Sequence, residues 1–268
     1  VSSNNIKFLV FDVESVPDGR LIRKVRYSDD DISEDEAIDL YRKEILEQTD
    51  GKSDFIPPTF QYPVAVSIGK VKSDFRLDDL VCLDEPEYRP RKMTELFWQG
   101  VEETYSNSVL VTFNGRGFDI PLLELMAYRY GVTAKRHFTD RYAARNRFSD
   151  RHFDMHDWLA NFGAVRMNGG LNLMAKVIGK PGKMGTTGSE VYDLFQKGEL
   201  QRINDYCMHD VLDTYFVFLR TRVLRGDLTI DREQDIVKET KKRLEESSTD
   251  VPAFREYLEN WGDWNPWP

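Results

Sequence analysis

Cysteine is nearly absent: Cys82 and Cys207 are the only two in 268 residues. They lie far apart and outside any CxxC or metal-ligand spacing, which excludes a disulfide scaffold and a zinc site. An excess of positive charge is also missing. Lys and Arg number 37 against 46 Asp and Glu, a net charge of −9, so any polyanionic partner must be held by a local basic patch or by metal ions rather than by general charge. No run approaches the roughly 20 apolar residues of a membrane span, and the start, VSSNNIKFLVF, lacks the basic and apolar regions of a signal peptide. A soluble, cytoplasmic protein is the expectation. Because the chain opens with Val1, a removed N-terminal segment stays open. Internal repeats are lacking too. What is present is apolar mass, with 40% hydrophobic and 12% aromatic residues, enough for a sizeable core and incompatible with wholesale disorder. The length suits one α/β domain with an appendage.

Residues 6–14, IKFLVFDVE, read as a buried strand ending in two acids, broken by Pro17, Asp18 and Gly19. From 28 to 50 the chain carries ten acids against Arg42 and Lys43, 2 − 10 = −8. Ser33 and Glu36 form a capping-box pattern there, and a solvated surface helix is predicted. PVAVSIGKV and LDDLVCL read as two further strands, antiparallel extensions of the first, followed by a helix over about 92–105. SVLVTF then feeds through NGRG into a helix that closes at Gly131. Beyond residue 150 helices are expected over roughly 154–162, 171–178, 188–196 and 200–224, then a charged pair over 231–246 and 251–260. Strands early and helices late predict an α/β fold, a mixed sheet flanked by helices. Its main domain is 1–225, and 226–268 form a helical C-terminal appendage.

Three fragments carry acids that could converge. The period of two in a strand puts Asp12 and Glu14 on one face, although a lone DxE often marks only a strand leaving its sheet. Asp119 opens a helix, where the dipole favours its charge and an ordinary helix-start role is available. In NDYCMHDVLDTYFVFLR, Tyr206 and Asp210 are four apart on one helical face. A buried Asp210 must reach the surface, pair with a cation, or ligate a metal. His209, about 100° around that helix, is a packing or surface residue with catalysis as the lesser reading. Four carboxylates and a phenol are hard oxygen donors that suit Mg2+ or Mn2+, and two such ions serve phosphodiester hydrolysis without a Cys or Ser nucleophile.

In this order and spacing the fragments resemble the DEDD 3′-5′ exonucleases, in the branch with tyrosine in the third motif. FDVE matches the first motif, NGRGFDIP the second and YCMHD the third. The closer likeness is to stand-alone predicted 3′-5′ exonucleases related to the exonuclease domain of family-B DNA polymerases. It extends through PPTFQYPVAVSIG and GKPGKMGTTGSEV and covers residues 6–222. The resemblance implies a ribonuclease H-like sheet and release of nucleoside 5′-monophosphates from the 3′ end of single-stranded nucleic acid. It implies two Mg2+ or Mn2+ ions, one held by Asp12, Glu14 and Asp210, the other by Asp12 and, through water, Asp119. Tyr206 would orient the attacking water. The polymerase likeness tilts the substrate toward DNA. A catalytically weak nucleic-acid-binding module and an RNA-end or oligoribonucleotide exonuclease are the alternatives.

Substrate contacts are expected from Asn114 and Phe118 in the second motif, and from Lys180 and Lys183 in the glycine-rich 179–189 segment. This segment lacks the spacing of a P-loop. Residues 133–152 form a basic island, 6 − 2 = +4. Within it Arg145 and Arg147 interleave with Phe138, Tyr142 and Phe148, as a single-strand groove requires. The alternative is that these arginines balance the acidic 28–50 segment. Asp154 is expected to cap a helix, and Trp261, Trp264 and Trp267 to pack the tail on the core or on a partner chain. Protein partners are unknown.

Overall fold

The computed structural model describes residues 5–184, 188 and 190–266. A five-stranded mixed sheet with the order β3-β2-β1-β4-β5 is flanked by helices, an α/β architecture consistent with a ribonuclease H-like fold. β1 (Ile6–Pro17) pairs antiparallel with β2 (Gln61–Lys72), which pairs antiparallel with β3 (Leu77–Cys82). On its other side β1 runs parallel to β4 (Val109–Thr112), and β4 to β5 (His152–Asp154).

Alternation along β1 sends two sets of side chains into two cores. Leu9, Phe11 and Val13 pack with Phe97 and Trp98 of α3 (Pro90–Gln99) and Leu122 and Leu123 of α4 (Asp119–Tyr130). On the opposite face Val10 joins Val211, Phe216 and Phe218 of the long helix α9 (Leu200–Leu224). That helix is buried nearly all round, between the sheet and further helices.

The parallel pairing ends at Val10↔Val111, whereas the β1–β2 pairing continues to Pro17↔Gln61. Beyond Val10, β1 therefore has a sheet neighbour on one side only. Asp12 and Glu14 occupy that overhang, on the face turned to α9.

Some local expectations were incomplete. Asp18 breaks β1 as expected and also starts the next element. Its carboxylate accepts from the Leu21 N–H and starts α1 (Gly19–Arg26). The acidic segment forms α2 (Glu34–Gln48) with its capping box in place. α1 and α2 bury Ile22, Ala37, Ile38 and Tyr41 with Ile56, so α2 is the expected surface helix, packed by its partial apolar face on α1. Among the described residues no arginine of 133–152 forms an ion pair with this segment. Arg145 pairs with Glu124 at 3.1 Å, and Arg136 bonds to Ser106 O. β5 is a strand too short to leave a periodic signal, and α3 continues as a π-helical turn, Gly100–Thr104.

Residues past 225 form α10 (Ile230–Ser247) and α11 (Pro252–Glu259). Ile236, Leu244, Phe254 and Tyr257 share the core of α9. Trp261 packs edge-on against Phe216 with centroids 5.3 Å apart, and Arg220 lies 4.3 Å over the Trp264 ring. Trp267 lies outside the described residues. Among those described, no helix is long and apolar enough to cross a membrane.

Candidate active site

Where β1 overhangs β4, the chain that leaves β4 must turn back into α4, and the NGRG sequence makes that turn. Asn114 adopts φ 70, and a Cβ on Gly115 would stand 2.4 Å from Thr112 Oγ1, which only glycine avoids. Asp154 fixes the turn from the adjoining strand. Its carboxylate accepts from the Asn114 N–H at 2.9 Å and the Arg116 N–H at 2.8 Å while capping the short helix Met155–Leu159. The expected cap is present, together with this second task that the sequence did not signal. The turn delivers Asp119 to the overhang, where the backbone N–H of Val13 bonds to its carboxylate.

α9 crosses the same place from the opposite face. Cys207 Sγ lies 3.3 Å from Asp12 O, and one turn on, Asp210 joins the two strand acids. Ligand atoms of Asp12, Glu14 and Asp210 all lie within 4.8 Å of one another. Asp119 is buried, and its Oδ1 has no hydrogen-bond partner. Together the four acids line a cavity of about 710 Å³, within the size range of ligand sites.

Electrostatics makes this cluster costly in isolation. Loss of solvent, then the charges of Asp119, Glu14 and Asp210, push the Asp12 carboxyl well up. Glu14 is raised by burial and then by Asp210 and Asp119, with Lys183 opposing. Burial raises Asp119 to about 7 and Asp210 to about 6, the latter eased by a hydrogen bond from Tyr206 and by Lys183. No lysine or arginine forms an ion pair with any of the four among the described residues. Crowded hard-oxygen donors, one of them an orphaned buried oxygen, and no lysine or arginine in ion-pair contact among the described residues fit a hard divalent cation.

Tyr206 is buried beneath Asp210, and burial followed by the charge of Asp210 raises its phenol far above the ordinary range. It therefore stays a neutral donor. His209 points elsewhere. Its Nε2 contacts Ala253 O at 2.7 Å and its ring packs near Tyr257, so the packing reading of this residue holds.

The substrate-contact candidates separate. Asn114, Phe118 and Lys183 line the acidic cavity. Arg145 and Arg147 line an adjoining one of about 540 Å³ that shares Asn114 and Gly117 with it. Phe148 and Tyr142 are exposed nearby. Lys180 requires correction: it is buried, with Nζ 3.8 Å over the Trp261 ring and 3.2 Å from Gly262 O. The tail closes over it, so its ammonium faces the core rather than a strand. Gly185, Thr186, Thr187 and Ser189 of the same segment lie outside the described residues. Cavity-lining Arg42, Phe55, Gln61 and Tyr192 were not expected from the sequence. Nothing in a charged helix or a proline-flanked loop marks a side chain as facing a distant strand end.

A family model described as "Predicted 3'-5' exonuclease related to the exonuclease domain of PolB" matches residues 53–261. No curated protein shows a significant match to the chain.

Proposed function

The chain belongs to that family of predicted 3′-5′ exonucleases, and from this premise we propose that it is a divalent-metal-dependent exonuclease acting on the 3′ ends of single-stranded nucleic acid, DNA before RNA. The observation that carries the proposal is the trio Asp12, Glu14 and Asp210, drawn together from a strand and a helix with no lysine or arginine in ion-pair contact among the described residues. In this reading Asp12, Glu14 and Asp210 would hold one cation, and Asp12 with Asp119 a second. Bound there, such ions neutralise charge on the scissile phosphate and acidify the attacking water.

The chain's own groups supply the rest. Tyr206, neutral and donating to Asp210, orients the water. Lys183, exposed at the rim, offers a point charge to phosphate, while Asn114 and Phe118 border the terminal nucleotide. Arg145 and Arg147 continue the track past the NGRG turn. The catalytic unit is taken as residues 1–225, with 226–268 as an appendage buttressing α9, and the cytoplasm as its place.

The test is digestion of 5′-labelled DNA and RNA single strands of equal sequence, with Mg2+, with Mn2+ and with chelator. Laddering from the 3′ end that chelator stops, and that Asp12→Ala abolishes, is expected. Full activity in Asp12→Ala would sink the assignment. Preference for RNA or very short strands would redirect the substrate class, and tight binding without turnover would favour a binding module.

A further inference from the structure

Residues 179–183 form a strap that leads from the helix Gly170–Val177 to the acidic cavity, which Lys183 lines. The Lys183 charge opposes the rise of the Glu14 and Asp210 carboxyls. A lysine carries its charge on a flexible stem, so it acts at a defined place only where its backbone is held. Here the backbone is held along the whole strap. Gly179 O accepts from the Gly262 N–H at 3.1 Å, and the Lys180 N–H donates to Ala175 O at 2.9 Å. Lys180 Nζ donates to Gly262 O at 3.2 Å, and Pro181 O accepts from Lys176 Nζ at 2.7 Å. Gly182 is buried with its N–H turned to the Asp213 carboxylate, and the Lys183 N–H donates to Asn172 Oδ1 at 2.9 Å.

Two of these anchors lead to the C-terminal tail. Asp213, on α9 one turn beyond Asp210, is buried, and its Oδ1 accepts from the buried Tyr257 hydroxyl at 2.7 Å. Burial lifts this carboxyl to about 7, with the Tyr257 hydroxyl and the Gly182 N–H pulling the other way. Tyr257 thus fixes the carboxylate that Gly182 meets. At its other end the strap lies directly under the tail. Gly179 has φ 71, and a Cβ there would stand 2.5 Å from Asp263 O and 2.8 Å from Trp264 N, an approach that only glycine permits. Burial is non-directional, whereas hydrogen bonds to strap atoms set where its backbone lies.

We propose that the C-terminal tail is part of the substrate-binding apparatus: Tyr257 through Asp213, and Gly262 through Gly179 and Lys180, position the strap so that Lys183 meets a phosphate of the bound strand. The idea rests on the exonuclease reading for the identity of that strand. Tyr257, Asp213 and Lys180 act through Lys183 and are positioning residues. A strap fixed before the strand arrives spares the complex the cost of ordering it.

The experiment is a double-mutant cycle on the full chain, read by anisotropy of a fluorescein-labelled single-stranded DNA hexamer in chelator, with no turnover, over a salt series. Melting temperature is followed in parallel, and in Mg2+ the same cycle is read in KM. Lys183→Ala is expected to weaken binding about fivefold and to flatten the log-log salt slope by about 0.7. Tyr257→Phe, and the milder Lys180→Met that keeps a buried chain and removes its ammonium, should each weaken binding about threefold in the parent. In the Lys183→Ala background neither should weaken it further. Losses that add in that background, or parent-like affinity and KM in both tail variants despite a lowered melting temperature, would overturn the positioning role and leave the exonuclease reading standing. Parent-like affinity, slope and KM in Lys183→Ala would do the same, because the tail would then have no contact to position. A parent that neither binds the hexamer nor degrades it in Mg2+ would overturn the exonuclease reading and this inference with it.

Discussion

Replacing Asp210 by Asn is expected to stabilise the metal-free protein, and by more as pH rises. Burial lifts the folded-state pKa of Asp210 to about 6 from the ordinary 3.8. A carboxyl whose folded pKa is raised costs nothing below its unfolded pKa, and the cost grows through about pH 4 to 6 and is complete above that. The shift of roughly 2 units corresponds to a ceiling of about 3 kcal/mol. Asp210 opens onto the cavity, and solvent there screens part of this, leaving about 1–3 kcal/mol. Asparagine keeps an oxygen to accept from Tyr206 and removes only the charge. For a domain of this size the gain is roughly 2–12 °C in melting temperature. Scanning fluorimetry in chelator at pH 4.5 and pH 8 measures it, and saturating Mg2+ should raise the melting temperature of the parent far more than that of Asp210→Asn. A variant no more stable than the parent at pH 8, or a difference that does not grow with pH, would refute the view that burial holds the Asp210 carboxylate at a cost.

Tyr206→Phe should lower turnover by about 10²-fold or more while Mg2+ binding by calorimetry stays close to that of the parent, because the phenol donates to Asp210 and is not itself a ligand. Equal loss of metal affinity in Tyr206→Phe and Asp210→Asn would contradict the separation. Asp154→Ala strands the Asn114 and Arg116 N–H groups and a helix cap; a stability loss of about 2–4 kcal/mol by urea titration is expected, together with lost activity. Arg145→Ala with Arg147→Ala should reduce the salt slope of single-strand binding by about 1.4, and an unchanged slope with a lowered melting temperature would assign these arginines to structure.

The acids of the site were legible because each lies at a place where periodicity speaks. Asp12 and Glu14 end an apolar run, and Asp210 interrupts an apolar helix whose burial forces a partner on it. Asp119 was legible because a glycine turn precedes it. What eluded the sequence was decided by contacts distant along the chain. Lys180 sits in a stretch that suggests a phosphate loop, yet Trp261 and Gly262, some eighty residues on, bury it. Phe55 looks like any loop phenylalanine until Phe118 is placed across from it. Asp18 follows a proline and precedes a glycine, a pair that reads as a break, and only its bonds to Leu21 and Arg129 reveal a helix start tied to α4.

The span between the two halves of the acid trio has a consequence for biosynthesis. Asp12 and Glu14 leave the ribosome almost two hundred residues before Asp210 on α9, whose packing draws on residues as late as Tyr257. Loop closure over such a distance comes late in folding, and domains form only when their last structural elements emerge. A nascent chain therefore holds an incomplete set of acids until Asp210 and the residues that pack α9 have emerged.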